Sequence, residues 1–191
     1  MRGDEGRGYN PPMTNFTVRP MVSSDLPAVL AVQASCYSEG LLEGESALAS
    51  RLALSPSTCW VAHEPAQRGT LAAYLFTHAW PEDSLPPLDG VLDDGWRQHA
   101  APDTLTWFVH DMAVAPAGRG AGLAPRLYAV ARAAAHAGGL RRSRLIAVQS
   151  AAPWWRRLGY APAPAQTAAR HAGKLAAYGA SAVLMERTLA G

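Results

Sequence analysis

The segment 114–125 (VAPAGRGAGLAP) constrains the fold most, because it joins a strand-like run to a helical run through three glycines. The run 105–114 (LTWFVHDMAV) is predicted as a strand, and 119–137 as a helix with one apolar face. Glycines remove Cβ atoms where a ligand must approach the backbone. The free N–H groups at the start of a helix also carry partial positive charge. The segment therefore predicts a strand–loop–helix unit that binds an anion such as a pyrophosphate.

Two common phosphate loops do not match this segment. A Walker A loop ends in Gly-Lys-Ser/Thr, and neither Lys nor Ser stands at the required place. A dinucleotide loop needs GxGxxG, and with Gly118 and Gly120 in the first two places its third glycine would fall at Leu123. A glycine-rich connection that binds nothing remains an alternative.

The rest of the chain alternates short strands and helices, which predicts a mixed sheet with helices on both faces. No repeat or linker separates two domains, so we expect one domain over 15–191 after a flexible tail at 1–14. The stretch 81–103 has no periodicity and is predicted as a long loop insertion, a feature that is often functional. Further strands are predicted at 15–21, 59–63, 71–76, 144–149 and 180–189, and further helices at 25–37, 43–54 and 152–158.

Composition excludes several classes of protein. A chain of 191 residues suits one domain with a proper core. No apolar run reaches the roughly 18–20 residues of a membrane span, and the first residues lack the apolar region of a secretory signal. The two cysteines, Cys36 and Cys59, are far apart and are expected to be thiols in a reducing compartment. These features predict a cytoplasmic protein that is not bound to membranes.

Charge is distributed unevenly along the chain. The stretch 112–185 has ten Arg and Lys residues and no Asp or Glu, whereas 1–111 has fourteen acids and six Arg. The second half can therefore favour a polyanion and the first half a cation, although codon bias toward Arg is an alternative reason. Nucleic acid is not expected as a partner, because no reader motif or interleaved exposed aromatics are present. No His, Cys and Asp cluster has the spacing of a metal site, so no metal is expected.

Two motifs resemble those of the GNAT superfamily of N-acetyltransferases. Arg119-Gly120-Ala121-Gly122-Leu123-Ala124 fits the Arg/Gln-x-x-Gly-x-Gly/Ala pattern of its acetyl-CoA loop, and 154–160 (WWRRLGY) resembles its second motif. The order of elements from about residue 15 onward also agrees. The resemblance implies a single-domain α/β (mixed α+β) fold, with a central, mostly antiparallel sheet, splayed strands and helices on both faces.

The resemblance also implies the residues that bind acetyl-CoA. The loop backbone would hold the pyrophosphate, the end of the central strand would bind the pantetheine arm, and 146–149 would splay away to admit that arm. Trp155 stands where many members have a tyrosine that protonates the leaving thiolate. The implied cofactor-binding residues are Met112, Ala113, Val114, Arg119, Gly120, Ala121, Gly122, Leu123, Ala124, Gln149 and Trp155.

Acetylation of an amine needs a base for the amine and a proton for the thiolate. His110 is favoured as the base, because its ordinary pKa near 6.5 suits the role, and Asp111 is the alternative. In a regular strand these two side chains face opposite sides unless a bulge intervenes. Trp155 is not a useful proton donor at neutral pH, so Tyr160, Tyr178 or solvent would replace the tyrosine.

The resemblance implies an acetyl-CoA-dependent N-acetyltransferase that acts by direct attack in a ternary complex. The acceptor would be a primary amine of a small molecule or amino acid, and the protein a monomer or homodimer. Alternatives are a protein or peptide N-acetyltransferase and a non-catalytic acyl-CoA sensor. A cleft closed by the 81–103 loop would favour a small acceptor, and an open groove a protein. His78, Trp80 and Phe108 are candidates for substrate binding.

Overall fold

Seven strands lie in one sheet in the computed structural model, which describes residues 15–67 and 69–189. The predicted tail at 1–14 lies outside these residues. The strands are β1 (Thr17–Pro20), β2 (Trp60–His63), β3 (Ala73–Pro81), β4 (Leu105–Val114), β5 (Arg142–Ala147), β6 (Ala161–Pro162) and β7 (Val183–Thr188). Their order in the sheet is β1-β2-β3-β4-β5-β7-β6, and every neighbouring pair is antiparallel except the parallel pair β4–β5.

Helices cover both faces of the sheet, as predicted. They are α1 (Leu26–Cys36), α2 (Glu45–Leu54), α3 (Leu123–Ala137), α4 (Ala152–Arg157), α5 (Ala165–Arg170) and α6 (Ala172–Ala176). On one face, Val29 of α1 and Leu48 of α2 pack against Phe76. On the other, Leu127 of α3 packs against Trp107 and the rest of the largest buried cluster. None of the helices in the described residues is both long and apolar enough to cross a bilayer.

The central strands β4 and β5 pair over only part of their length. Hydrogen-bonded partners run from Trp107–Ser143 to Val109–Leu145, and there the parallel pairing stops. Both strands continue beyond that point, β4 as far as Val114. A gap therefore opens between the two strands inside the sheet, which confirms the predicted splay.

A β-bulge interrupts β4 at the start of this gap. Phe76 lies opposite Asp111, whereas its neighbour Thr77 lies opposite Val109, so His110 is an extra residue on β4. Val109 and Met112 both pack on the α3 side of the sheet. The two residues between them therefore share the other side, against the alternation of a regular strand.

The helix predicted at 119–137 begins later, at Leu123. Gly120 and Gly122 have φ angles of +81° and +69°, which belong to the left-handed region and cannot continue a right-handed helix. Gly122 is instead the N-cap of α3. The predicted start was therefore wrong by four residues, and the glycines form an irregular loop.

Gly118 serves packing. A Cβ atom at Gly118 would lie 2.9 Å from both the carbonyl oxygen of Ala72 and Cδ1 of Leu123. The Ala72 oxygen is fixed, because it accepts a hydrogen bond from Ala115 N at 2.8 Å. The loop therefore needs glycine at 118 to lie against β3.

We expect Gly118→Ala to lower the free energy of unfolding by about 1–3 kcal/mol through this overlap. Gly173→Ala is the control, because Gly173 lies in α6 with no heavy atom within 4 Å of the new Cβ. That change is expected to be neutral or stabilising by up to about 1 kcal/mol. Urea denaturation gives both values, and equal stability of the two variants would contradict the packing role.

Candidate active site

A cavity of about 350 Å³ lies in the gap between β4 and β5. The edge of β4 forms one wall, and the end of β5 with residues 148–149 forms the other. The loop before α3 borders one end, which we name the loop end. Acidic and tyrosine side chains border the other, which we name the acceptor end. Ten of the residues predicted for the site line this cavity: His110, Asp111, Met112, Ala113, Val114, Arg119, Ala124, Gln149, Trp155 and Tyr178.

The loop end presents free backbone N–H groups. Among the described residues, those of Gly120, Gly122, Leu123 and Ala124 donate to no backbone carbonyl. A Cβ atom at either glycine would meet open space, and the first turn of α3 has no acid. Arg119 adds a positive charge beside them. Because a helix start carries partial positive charge, this end is suited to an anion.

Not every predicted loop residue contributes in the same way. The N–H group of Ala121 donates to Gly118 O at 3.3 Å, so it is used within the loop. The side chain of Leu123 is buried beneath the loop. Gly120 and Gly122 are the positions whose backbone conformation and open surroundings both suit a close ligand.

The edge of β4 turns backbone groups toward the cavity that pair with no neighbouring strand. Ala115 N donates toward β3, and alternation along the strand turns Met112 and Val114 toward the gap. Two side chains at the end of α1 reach these residues. Tyr37 Oη donates to Met112 O at 2.8 Å, and Cys36 Sγ donates to Val114 O at 3.3 Å.

Asp111 is held at the acceptor end by tyrosine. The Tyr74 hydroxyl donates to Asp111 Oδ2 at 2.5 Å. Burial raises the pKa of Asp111 to about 6, although the hydroxyls of Tyr74 and Tyr37 lower it in part. The nearby charge of Glu43 also raises this pKa. Asp111 is therefore a carboxylate at neutral pH that still binds a proton more readily than an ordinary aspartate.

His110 lies at the same end, but both ring nitrogens face protein atoms. Arg51 Nε donates to His110 Nε2 at 2.6 Å, and Glu43 Oε1 lies 2.7 Å from the same nitrogen. His110 Nδ1 lies 3.4 Å from His78 Nε2. Burial and the charge of Arg51 hold the pKa of His110 well below its ordinary value. The imidazole is therefore neutral, and neither nitrogen is free for a substrate.

The Arg51 side chain is fully buried and joins three parts of the structure. Its guanidinium lies 2.5 Å from Glu43 Oε2 and donates to Ala47 O at 2.7 Å within α2. It also donates to Pro87 O and Gly90 O, each at 3.0 Å. This one side chain therefore fastens the long connection between β3 and β4 to α2 and to the bulge.

The two candidate tyrosines have different surroundings. Tyr160 is buried on the α3 side, where its hydroxyl lies 2.5 Å from Ser143 Oγ and 3.3 Å from Tyr128 Oη. It does not line the cavity. Tyr178 does line it, and its buried hydroxyl has no hydrogen-bond partner among the described residues. Burial and the carboxylate of Glu43 raise the pKa of Tyr178.

His78, Trp80 and Phe108 were predicted to bind substrate, and none of them lines the cavity. They form a stack behind His110. The ring centroids of His78 and Phe108 are 5.6 Å apart, and those of His78 and His110 are 5.4 Å apart. These side chains support the bulge from behind.

Sequence reasoning missed several residues at the acceptor end. Arg51 had a usable signal, because it falls at helical spacing on the apolar face of α2 together with Leu48 and Leu52. Glu43 had no such signal, since it was predicted as the first residue of the helix and lies instead in the irregular segment before α2. Lining residues that were also missed are Cys36, Tyr37, Leu41, Leu88, Val109, Leu145, Ala151 and Trp154, whereas Ile146 and Val148 fall in the segment predicted to splay.

Comparisons with known proteins agree on one family. The model of the Acetyltransferase (GNAT) family matches residues 26–160, and so confirms the resemblance that the loop and the second motif indicated. A search of curated proteins with the sequence gave no match.

Solved structures of the same fold cover nearly all of the chain. The loading GNATL domain of CurA from Lyngbya majuscula has a TM-score of 0.68 at 12% identity, covering 92% of this chain and 98% of that chain. The GphF GNAT-like decarboxylase in complex with isobutyryl-CoA has a TM-score of 0.61 at 18% identity, with coverages of 91% and 100%. The ribosomal-protein-S18-alanine N-acetyltransferase from Escherichia coli has a TM-score of 0.59 at 14% identity, with coverages of 93% and 96%.

We expect Arg51→Met to lower the free energy of unfolding by about 3–5 kcal/mol, because it leaves Glu43 as a buried charge without its partner. Glu43→Gln in the same chain should restore part of the loss. Arg142→Met is the control, since both side chains of the Arg142–Glu82 pair are exposed, by 46% and 35%, and its loss should cost at most about 1 kcal/mol. Urea midpoints test this, and equal losses for the two arginines would contradict it.

Proposed function

Because the chain belongs to the acetyltransferase (GNAT) family, we propose that it transfers an acetyl group from acetyl-CoA to the primary amine of a small molecule. The observation that carries this proposal is the continuity of the cavity. It runs from free N–H groups at the start of α3, along an unpaired strand edge, to a tyrosine-held carboxylate at Asp111. These are the three features that amine acetylation needs: an anion site, a channel and a base.

The cavity fits acetyl-CoA by the chemistry of its lining. The N–H groups of Gly120 and Gly122 and the guanidinium of Arg119 would hold the pyrophosphate. The backbone groups of Met112 and Val114 would bind the pantetheine arm as a further strand edge does. When bound, the thioester supplies an activated acetyl group at the acceptor end.

We assign the role of base to Asp111 rather than to His110. An acceptor that binds as an ammonium ion first releases one proton to solvent, which leaves the neutral amine. In the transfer, a C–N bond forms, the C–S bond breaks, nitrogen loses one further proton and sulfur gains one. The pKa of Asp111, about 6, leaves it ionised at neutral pH and able to accept the proton as nitrogen bonds to the acyl carbon. His110 has both nitrogens engaged by Arg51, Glu43 and His78. We propose that His110 positions Asp111 through the bulge.

Tyr178 is our candidate for the proton donor to the thiolate. It borders the same cavity as Trp155, which stands at the position of the family's tyrosine and has no acidic proton to give. The Tyr178 hydroxyl has no partner among the described residues, and its raised pKa keeps it protonated. Tyr160 is already bonded to Ser143 on the far side of the sheet.

Two segments of the chain, which we call covers, lie over the acceptor end, and they support a small-molecule acceptor. The connection between β3 and β4 is fastened by Arg51 and brings Leu88 to the cavity. The α5–α6 segment brings Tyr178 from the other side, and Lys174 Nζ donates to Leu85 O between the two covers. A peptide chain would need an open groove here, whereas a small amine fits beneath the covers.

The proposal is tested by acetyl-CoA binding in calorimetry and thiol release with a panel of small amines. Gly122→Asp should weaken acetyl-CoA binding about 10- to 10³-fold, because it places an anion beside the pyrophosphate. Gly122→Asn is the matched control, since Asn has the same size and also tolerates a positive φ. Similar affinities for the two variants would contradict the anion site, and thiol release with peptides alone would contradict the small acceptor.

We expect Asp111→Asn to lower kcat about 10²–10⁴-fold at pH 8 with little change in acetyl-CoA affinity. In the wild type, kcat should fall as pH decreases through about 6, because Asp111 then becomes protonated and cannot accept a proton. The variant should lack this decline. Kinetics from pH 5 to 9 measure it, and a decline near pH 6 that persists in the variant would exclude Asp111 as the base.

A further inference from the structure

The acceptor end of the cavity has one uncompensated negative charge. Two carboxylates border it, those of Glu43 and Asp111. The guanidinium of Arg51 lies 2.5 Å from Glu43 and neutralises it. Asp111 accepts a hydrogen bond from the Tyr74 hydroxyl, and it forms no ion pair with a cation among the described residues. A single ammonium group on the acceptor therefore balances the charge of this end.

Among residues 15–67 and 69–189, no cation at the acceptor end is free to pair with an anion. Arg51 is fully buried, and its nitrogens contact Glu43, His110 and three backbone carbonyls. The described residues that line the cavity include one Arg or Lys side chain, that of Arg119, which lies at the loop end beyond Val114. A carboxylate on the acceptor would lie beside Glu43 and Asp111 and would have no cation to pair with. Burying a charge without a partner is costly.

The remaining surface of the acceptor end is largely apolar. Leu41 borders it from the segment between α1 and α2, and Leu88 borders it from the cover between β3 and β4. Tyr37 also lines the cavity, with its hydroxyl turned to Met112 O. These surfaces suit a hydrocarbon body.

We infer that the acceptor is a monoamine on an apolar body that carries no carboxylate, so that free amino acids are excluded. The inference rests on the proposed function and narrows its substrate class. The ammonium group lies toward Asp111, and the apolar body packs between Leu41 and Leu88. A diamine is also disfavoured, because its second ammonium group finds Glu43 already paired with Arg51.

The test compares amines that differ in one group. Phenylethylamine, phenylalaninamide and phenylalanine are assayed by thiol release at pH 8, with isopentylamine, leucinamide and leucine as a second series and diaminopentane as the diamine. We expect kcat/KM for each amine to exceed that for its amino acid at least about 10²-fold. The neutral amide should lie much closer to the amine, because it adds size without charge.

The outcomes separate the inference from the proposed function. Turnover of an amino acid as fast as its amine would overturn the inference while the acetyltransferase activity stands. Rejection of the amide as strongly as the acid would also overturn it, because size would then exclude the amino acid. Thiol release from no compound, despite acetyl-CoA binding, would overturn the proposed function and this inference with it.

A substitution in the protein tests whether charge decides the preference for an amine over its amino acid. Leu88→Arg places a cation at the acceptor end, and we expect it to narrow the preference for phenylethylamine over phenylalanine at least tenfold, by about 1.4 kcal/mol. Leu88→Met is the control and should keep the wild-type preference. An unchanged preference in a Leu88→Arg protein that binds acetyl-CoA normally would contradict the inference.

Discussion

The site depends on one constraint, the end of the pairing between β4 and β5 after Val109 and Leu145. If the two parallel strands stayed paired, their backbone groups would hydrogen-bond to each other and no channel would open between them. Beyond this point, Met112 and Val114 still lie opposite residues of β3, but no residue of β5 pairs with them. The sheet thus supplies a strand edge with no neighbouring strand. Its carbonyls at Met112 and Val114 each accept one side-chain hydrogen bond and keep a second lone pair for a ligand.

The bulge at His110 brings two ionisable side chains to the same side of β4. Without the extra residue, His110 and Asp111 would face opposite sides of β4 and one of them would enter the α3 core. With it, both lie at the acceptor end, where we assign them different roles. The imidazole is occupied by Arg51 and Glu43 and acts as a support. The carboxylate, held by Tyr74, keeps a position from which it can exchange a proton.

The sequence was sufficient to predict the parts of the fold with strong local signals. The limits of β4 agreed with the prediction, because apolar and β-branched residues fill this strand on both sides of His110 and Asp111. The loop before α3 was recognised from its glycines. The start of α3 was not, because the left-handed conformations at Gly120 and Gly122 depend on the loop as a whole. The partners of His110 were also beyond reach, since Glu43 and Arg51 are more than fifty residues away in the chain and meet it through tertiary packing.

The uneven distribution of charge along the chain has a structural counterpart. The boundary between the acidic first part and the basic second part falls inside β4, between Asp111 and Met112. The carboxylates before this boundary, Glu43 and Asp111, lie at the acceptor end, and the cation after it, Arg119, lies at the loop end. The electrostatic potential along the cavity therefore changes from negative at the acceptor end to positive at the loop end. This polarity orients a ligand that has an anionic end and a neutral thioester, because reversal would place phosphates beside two carboxylates.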